Sequence, residues 1–441
     1  MMALRVLVAA LIVFVGSVPA VCAQPLPKGY LSLFSDYFPN QRDTIELRAR
    51  LFVEEKIEPT PRLVINLSGF AEGLLARRPD PGATTVESRR FVKDGIVRVH
   101  DANIGWSSER SDILVGYARV AWGKLDEIQP TDVINPLDVS KFFFEGRSEA
   151  RLPALLVRGR WHITPDLTIE GVVEPDFRRG RFDRLDEPTS PFNLPLLIAE
   201  DPIVCLALGC PAVPTVIDRQ PAFTADNMQG GARVSATTGR VDWSVSGFRG
   251  FEPFGLYRLD MPTMPSTVPA GQLSLEYPRF TMIGGDFESV RGKWGLRGEA
   301  AAFVEDSFQS PELRIVPGRS IDVGGGVDRR AGDYTLSGTV LLHAERYDAP
   351  LSQADSSEGR TDVSVIASAD RTFAREKYRL RTFAVYNANE SSGFLRVIGM
   401  ANLRDNLALE ASLGWFAGDG ASLIGRFGDS DFVYARLKYY F

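Results

Sequence analysis

Three histidines, His100, His162 and His343, are the side chains of this chain best suited to general acid–base chemistry. His343 stands two positions before Glu345, a spacing that puts both on one face of a strand, and His100 is followed by Asp101. No Gly-x-Ser-x-Gly elbow leads into a helix, and no His-Glu-x-x-His, phosphate-loop or EF-hand pattern is present. We therefore predict no enzymatic activity, no cofactor and no metal site. A barrel hydrolase built on His343 is the least favoured alternative.

A close pair of cysteines, Cys205 and Cys210, lies in the longest polar stretch of the sequence. In an exported protein an isolated pair of this kind predicts a disulfide that pins a small loop, with two unpaired thiols as the alternative. The spacing fits no zinc ligand set, and no third or fourth ligand lies nearby.

Charged side chains that alternate with apolar ones form the largest set of chemically active groups. In segment 360–372, Val363 and Val365 alternate with Asp362 and Ser364, which gives a strand one apolar and one polar face. If the apolar face meets lipid, the charges must face water, because Arg or Lys at the midplane of a membrane barrel costs about 2–4 kcal/mol. The predicted pore-lining residues are Arg48, Arg50, Arg119, Arg158, Arg160, Arg233, Arg297, Arg379, Arg381, Arg396, Glu170 and Glu410.

Arginines that face a lumen can steer anionic or polar solutes. Acids at inward positions, which include Glu46, Glu299 and Asp370, are nearly as numerous. The alternative is therefore that arginines and acids pair across strands and stiffen the wall. The two roles are compatible, and the sequence leaves solute selectivity open.

The last ten residues have the alternation expected of a membrane-spanning strand. Val433, Leu437, Tyr439 and Phe441 fall on one face, and charged residues such as Arg436 fall on the other. Transmembrane barrels require this pattern, because one face of each strand contacts lipid and the other contacts water, and aromatic residues lie at the membrane interface. Residues 1–23 have a positive start, an apolar run too short to span a bilayer and small residues before Gln24, which predicts a secretory signal peptide.

Short turns and long connections alternate through residues 24–441. Eight short turns and nine longer connections predict an all-β fold, a transmembrane antiparallel β-barrel of eighteen strands, with sixteen as the next allowed number. The short turns would be periplasmic and the long loops extracellular. The predicted long loops are 73–90, 123–150, 176–226, 251–270, 304–318, 346–360 and 417–430. The predicted turns are Glu55–Pro61, Ser107–Ser111, 164–166, 237–239, 290–292, 330–332, Phe373–Lys377 and 404–406.

Two long connections are singled out by their composition. Residues 123–150 are predicted to fold inward and narrow the lumen, because an eighteen-stranded barrel is wide enough to hold water. Residues 176–226 contain Cys205 and Cys210 and could plug the mouth, contact lipopolysaccharide or bind a partner. The constriction candidates in the first connection are Asp126, Asp132, Asp138, Phe142, Phe143 and Phe144; packing of the three phenylalanines on the barrel rim is an equal alternative to solute contact.

The chain resembles Gram-negative outer-membrane barrels, whose terminal aromatic residues are read by the assembly machinery. Tyr439 and Phe441 carry this likeness, although Arg436 stands where that signal often has glycine. The tract of Trp122-Gly123, Asp132 and 134–138 (Ile-Asn-Pro-Leu-Asp) resembles uncharacterised porin-like barrels loosely related to eighteen-stranded alginate-export channels. The likeness implies a bacterial outer-membrane location, with lipid, lipopolysaccharide and the assembly machinery as partners.

These features predict a porin-like channel for passive or selective passage of small polar or anionic solutes. A plugged, non-conducting barrel that binds partners through its loops is the alternative. The formal net charge of −6 argues against nucleic acid as a partner. The identity of the solute is not predicted.

Overall fold

A single antiparallel sheet of eighteen strands dominates the structure, a computed structural model that describes residues 27–41, 44–79, 89–181, 216–260, 272–352, 357–420, 422 and 424–441. The predicted signal peptide, Cys205 and Cys210 lie outside the described residues. The strands of this sheet are β1 (Lys28–Phe38), β2 (Thr44–Thr60), β3 (Leu63–Pro79), β4 (Arg89–Ser107), β5 (Ser111–Ala118), β6 (Ala154–Thr164), β7 (Leu167–Glu174), β9 (Gln229–Thr238), β10 (Val241–Phe251), β13 (Arg279–Arg291), β14 (Trp294–Gln309), β15 (Ile315–Ala331), β16 (Tyr334–Tyr347), β17 (Gly359–Phe373), β18 (Tyr378–Asn387), β19 (Ser392–Arg404), β20 (Leu407–Ala417) and β21 (Phe432–Tyr440).

The sheet closes on itself. Each barrel strand pairs with the barrel strands that precede and follow it in the chain, and β1 also pairs with β21, where Tyr30 lies opposite Tyr440 and Tyr37 lies opposite Val433. Closure pairs the edge strands that an open sheet would leave exposed. The predicted all-β class, antiparallel barrel and strand number of eighteen are confirmed.

The eight predicted turns all lie at junctions of consecutive barrel strands, but β2 continues to Thr60, through most of predicted turn Glu55–Pro61. Two of the predicted long connections are shorter than expected, however. Strand β3 runs to Pro79 and β4 starts at Arg89, inside predicted loop 73–90, and β14 and β15 together leave only 310–314 of predicted loop 304–318. In these extensions the sequence does not alternate strictly between apolar and polar residues: Leu74 and Leu75 stand side by side, as do Arg77 and Arg78.

Alternation of the two faces follows the sequence prediction. On β21, Val433, Leu437 and Tyr439 are exposed to the outside, whereas Phe432 and Tyr434 are buried on the inner side. Exposed aromatic side chains gather at the short-turn end of the outer surface, as an interfacial girdle requires. They include Trp106, Trp161, Trp243, Trp294, Tyr334, Phe373, Tyr378 and Tyr439.

A second, three-stranded sheet stands at the long-loop end of the barrel. It consists of β8 (Val216–Arg219), β11 (Leu256–Asp260) and β12 (Gln272–Glu276), with β12 in the centre, parallel to β8 and antiparallel to β11. Its apolar residues pack with Phe177, Phe251 and Leu313. Parts of the predicted loops 176–226 and 251–270 are therefore strands.

Two short helices lie in the connection between β5 and β6: α1 (Val139–Glu145) and α2 (Arg147–Ala150). Single 3₁₀ turns occur at Ala225–Asn227 and Gly425–Ser430. In the part of the chain that the structure describes, no helix is long and apolar enough to cross a membrane.

Candidate functional site in the barrel lumen

The connection between β5 and β6, residues 119–153, lies inside the barrel; we call it the luminal segment. Its side chains and backbone contact β7, β14 and β18 through Glu170, Glu299 and Arg381, respectively. It also contacts β2 through Arg50 and β21 through Arg436. A segment that touches strands all around a closed barrel must occupy the interior, as predicted for 123–150.

A carboxylate of the wall, Glu299 on β14, holds the first part of the luminal segment. Its two oxygens accept hydrogen bonds from the backbone N–H groups of Lys124 (2.9 Å), Leu125 (3.1 Å) and Thr131 (2.7 Å), and from the Thr131 hydroxyl (2.7 Å). Glycine is required beside it: Gly123 has a φ of +90°, and a Cβ there would lie 2.6 Å from Glu299 Oε1. A single buried carboxylate thus binds both ends of the stretch 124–131 to β14.

Asp132 and Asn135 connect the two ends of the luminal segment. Asp132 accepts hydrogen bonds from the backbone N–H of Trp122 (3.2 Å) and from the guanidinium groups of Arg147 (2.9 Å) and Arg151. Asn135 accepts from the N–H of Val120 (2.6 Å) and donates to the carbonyls of Ala118 and Leu152. Both side chains are buried, so breaking these hydrogen bonds would leave unpaired polar groups in the interior and would cost free energy of folding.

Helix α1 is docked on β19–β21 and β2. Asp138 caps its first turn by accepting from the N–H of Lys141 (3.3 Å). Phe144 stacks on Phe432 with ring centroids 4.3 Å apart, and Phe143 meets the ring of Phe394 at 5.2 Å. Phe143 and Phe144 therefore pack on the wall, which was one of the two predicted roles, while Phe142 stays partly exposed.

The last residue of α1, Glu145, pairs with arginines from opposite ends of the strand order. Its two oxygens accept from Arg50 at 2.7 and 2.8 Å, and Arg436 lies 3.6 Å away. Burial by itself would favour the neutral acid, but Arg50 reverses the effect and holds the pKa of Glu145 well below its usual range. The helix is therefore bound to the wall by an ionised carboxylate.

The predicted pore-lining arginines mostly pair with acids of neighbouring strands or of the luminal segment. The pairs are Arg48 with Asp36 (3.0 Å), Arg119 with Asp101 (2.9 Å), Arg160 with Asp112 (3.2 Å), Arg233 with Asp286 (2.9 Å), Arg379 with Asp370 (2.6 Å) and Arg381 with Glu127 (2.6 Å), together with Arg50–Glu72 and Arg297–Asp126. Cross-pairing in the wall, one of the two predicted roles, is thus present.

The remaining predicted residues are also on the inner side. Arg158 borders a cavity of about 830 Å³ near the short turns, together with Arg119 and Arg151. Glu170 accepts from the indole N–H of Trp122 at 2.6 Å. Arg396 donates to the Ser412 hydroxyl (3.1 Å) and to the Phe144 carbonyl. Glu410 pairs with Arg436 at 2.5 Å.

The arginines and acids of the β17–β19 sector differ in exposure. The side chain of Arg360 is 46 % exposed, whereas its partners Asp362 and Glu390 are 10 % and 12 % exposed. Arg379 is 46 % exposed against 17 % for Asp370. Arg381 is 34 % exposed against 16 % for Glu127. In these pairs of β17 and β18 arginines the acids are shielded, and the guanidinium groups face the lumen. Arg396 on β19 and its neighbour Glu410 are equally buried, and Arg297 on β14, less exposed than Asp126, shows the opposite order.

The three histidines contact hydroxyl and carboxylate groups of neighbouring residues. His343 contacts Asp322 through Nδ1 (2.7 Å) and Glu345 through Nε2 (2.9 Å), which occupies both ring nitrogens with carboxylates. His162 similarly contacts Thr168 and Asp112, both at 3.0 Å. His100 lies 3.5 Å from the Ser68 hydroxyl, at the outer limit of a hydrogen bond.

The family model described as "Protein of unknown function (DUF1302)" matches residues 100–353, more than half of the chain. The chain belongs to the DUF1302 family. The matched region of this DUF1302 protein includes the whole luminal segment and its anchor Glu299, and it ends before β18, so Arg381 and Arg396 lie outside it. No curated protein matches the chain.

Among solved structures, this DUF1302 barrel is similar to OccAB3 of Acinetobacter baumannii, with 10 % identity, a TM-score of 0.48 and coverage of 94 % of this chain and 99 % of that one. OccK1 (OpdK) of Pseudomonas aeruginosa has 12 % identity, a TM-score of 0.48 and coverage of 94 % and 98 %. OmpF of Salmonella typhi has 6 % identity, a TM-score of 0.43 and coverage of 94 % and 97 %. These are likenesses of fold alone.

The sequence predicted that Glu299 lies on the inner face but not that it binds the luminal segment. The roles of Glu145 and Asn135 were not predicted. The partners of Glu299 are 168 to 175 positions away in the chain, so no local pattern could have revealed them. Asn135 lies within the tract that carries the family resemblance, and this was the only available signal.

Proposed function

We propose that this protein is a bacterial outer-membrane channel for small polar solutes, with a preference for anions. The observation that carries the proposal is the exposure difference of the β17–β19 sector, where Arg360, Arg379 and Arg381 face the lumen and their carboxylate partners are shielded. A solute inside the barrel meets the guanidinium groups first, in a narrow space where fixed charges raise the local concentration of counter-ions.

The outer surface supports the membrane part of the proposal. Exposed apolar side chains cover it from strand to strand, and the aromatic girdle at the short-turn end marks an interface. In water such an apolar surface would aggregate. We propose that the short turns face the periplasm and the three-stranded sheet faces the cell exterior.

The experiment is a measurement of reversal potential across a planar bilayer that contains the purified barrel and separates two KCl concentrations. We expect conductance with chloride more permeant than potassium. The variant Arg360→Gln/Arg379→Gln should shift the reversal potential toward potassium selectivity. The control Arg249→Gln/Arg258→Gln removes two exposed arginines near the three-stranded sheet and should leave the potential close to that of the wild type.

A second candidate is a plugged barrel, favoured by the way the luminal segment is bonded on several sides of the wall. It predicts that folded protein, recognised by its heat-modifiable gel mobility, inserts into bilayers without conducting. That result would refute the channel, and chloride permeability equal to or below that of potassium would refute the anion preference.

A further inference from the structure

Two inward-facing positions of β19 carry apolar side chains that packing within the barrel wall does not explain. Ile398 and Met400 follow Arg396 on the inner face, and the Met400 side chain is 38 % exposed. Further along the same face, Phe394 is buried against Phe143 of α1, so its presence is explained by packing. Met400 has no such cover. An exposed apolar side chain in a charged lumen is the feature to explain.

The sheet register surrounds these two residues with charge. On β18, Arg379 lies directly opposite Met400 and Arg381 directly opposite Ile398. On β20, Glu410 lies opposite Met400. Cross-strand neighbours have Cβ atoms about 4.5–5.5 Å apart, so one small molecule can contact an arginine and an apolar side chain together.

Helix α1 forms the other side of a cleft over these strands, and Phe142 presents its ring there. The cleft has a volume of about 230 Å³ and is bordered by Phe142, Ile398, Met400, Arg379 and Arg381. Pockets for drug-sized ligands have roughly 300–1,000 Å³, so this cleft suits a smaller molecule. Its lining combines a few apolar side chains with fixed polar groups, as is typical of small-molecule sites.

The charge exposed in the cleft is positive. Arg379 and Arg381 are the more exposed members of their ion pairs, and the acids that neutralise them, Asp370 and Glu127, are shielded. Glu410 and Glu145 are also buried in pairs with Arg436. A carboxylate of a ligand could join these arginines without displacing the wall acids, since a guanidinium group has five N–H donors.

We propose that this cleft binds small organic anions that carry an apolar body next to a carboxylate, such as an aromatic or short-chain aliphatic acid. The carboxylate contacts Arg379 and Arg381, and the apolar body lies between Phe142, Ile398 and Met400. The inference rests on the proposed function and deepens it, because it assigns the channel a preferred class among anions.

The test compares benzoate with acetate as blockers of the KCl current through the purified barrel. Benzoate should interrupt the current at concentrations at which acetate has no effect. The Met400→Gln variant should weaken the benzoate block by about tenfold, because a polar side chain of similar volume replaces the apolar contact. The KCl current should be preserved. Met400→Leu keeps an apolar side chain and should retain the block.

Arginine variants separate the site from general anion attraction. Arg379→Gln should weaken the benzoate block, whereas Arg360→Gln, equally exposed but outside the cleft, should reduce chloride preference and leave the ratio of benzoate to acetate block unchanged. The proposal would be overturned if benzoate and acetate blocked the current equally, or if benzoate blocked Met400→Gln as strongly as the wild type.

If the barrel does not conduct, the proposed function fails while the cleft can still be tested. Benzoate binding to the folded barrel in detergent is then measured by saturation-transfer NMR. Signal transfer to benzoate that disappears in Met400→Gln and survives in Met400→Leu supports the cleft. Absence of transfer in the wild type rejects it.

Discussion

Glu299 on β14 accepts two hydrogen bonds from Thr131, one from its backbone N–H and one from its hydroxyl, both at 2.7 Å. The other carboxylate oxygen accepts from the N–H groups of Lys124 and Leu125. All of these donors belong to the luminal segment, and the carboxylate is 3 % exposed. The position of the luminal segment therefore depends on a carboxylate of the wall that accepts hydrogen bonds and has no hydrogen to donate.

The variant Glu299→Gln should release the luminal segment from β14. One end of the amide becomes a donor and faces groups that also donate, and each buried donor left unpaired costs about 1–3 kcal/mol. We expect larger fluctuations of the open-channel current. Glu305→Gln is the matched control, because Glu305 lies on the same strand and pairs with Arg249 and Thr281 outside the luminal segment. A quiet current in Glu299→Gln, equal to that of the control, would contradict the anchoring role.

A methyl group at position 123 should disturb the same contact from the other side. Gly123 has a φ of +90°, and a Cβ there would lie within 3 Å of both carboxylate oxygens of Glu299. Gly123→Ala therefore combines backbone strain with a clash. Gly332→Ala is the control: its φ is +64°, and its added Cβ meets nothing within 4 Å. We expect altered single-channel conductance in Gly123→Ala alone; identical conductance in both variants would argue against close packing at this site.

The barrel strands were predictable because lipid and water impose opposite requirements on neighbouring residues. On β21, Val433 and Leu437 face outward and Tyr434 and Arg436 inward, as the period of two requires. Where a strand leaves the membrane, this requirement ends. For that reason the outer part of β3 as far as Pro79 was predicted as loop, as were the short strands β8 and β11.

The site was only partly predictable. The inward direction of Arg381 and the location of Asp126 in a constricting segment follow from face and loop order. The pairing of Arg381 with Glu127 joins residues 254 positions apart, and no rule of local spacing produces it. Likewise, the difference in exposure between an arginine and its acid depends on packing depth, which the alternation pattern does not encode.

Glu145 should contribute to barrel stability through its pair with Arg50. Both side chains are almost fully buried, at 4 % and 2 % exposure, and Glu145→Gln would leave Arg50 with Glu72 as its remaining buried partner. Because Arg50 keeps Glu72, we expect a loss of about 1–3 kcal/mol, below the cost of about 3–5 kcal/mol for a buried charge left alone. Glu149→Gln, at a 48 % exposed position in α2, is the control and should be nearly neutral. The measurement is the urea midpoint of unfolding in detergent, followed by the mobility shift of the folded barrel. Equal midpoints for the two variants would exclude the anchoring of α1 by this pair.

Glu252 should make the three-stranded sheet sensitive to pH. It follows β10 outside the membrane-spanning part, and its N–H donates to the Pro278 carbonyl at 2.8 Å, next to β12. Burial, and then the neighbouring Asp306 carboxylate, raise the pKa of Glu252 to about 7. A raised pKa means that the fold favours the neutral acid, so this stabilisation is complete below the pKa of an unfolded glutamate, about 4.3, and is lost as the pH rises through 7.

Hydrogen exchange of the peptide 252–260, corrected for the intrinsic rate, should therefore become faster between pH 5 and pH 8. In Glu252→Gln the side chain stays neutral, and protection should be independent of pH over this range. The control Glu276→Gln removes a carboxylate of the same sheet that pairs with Arg219 and should keep the wild-type pH dependence. Protection of the wild-type peptide that is equal at both pH values would show that Glu252 does not couple proton uptake to the folding of this sheet.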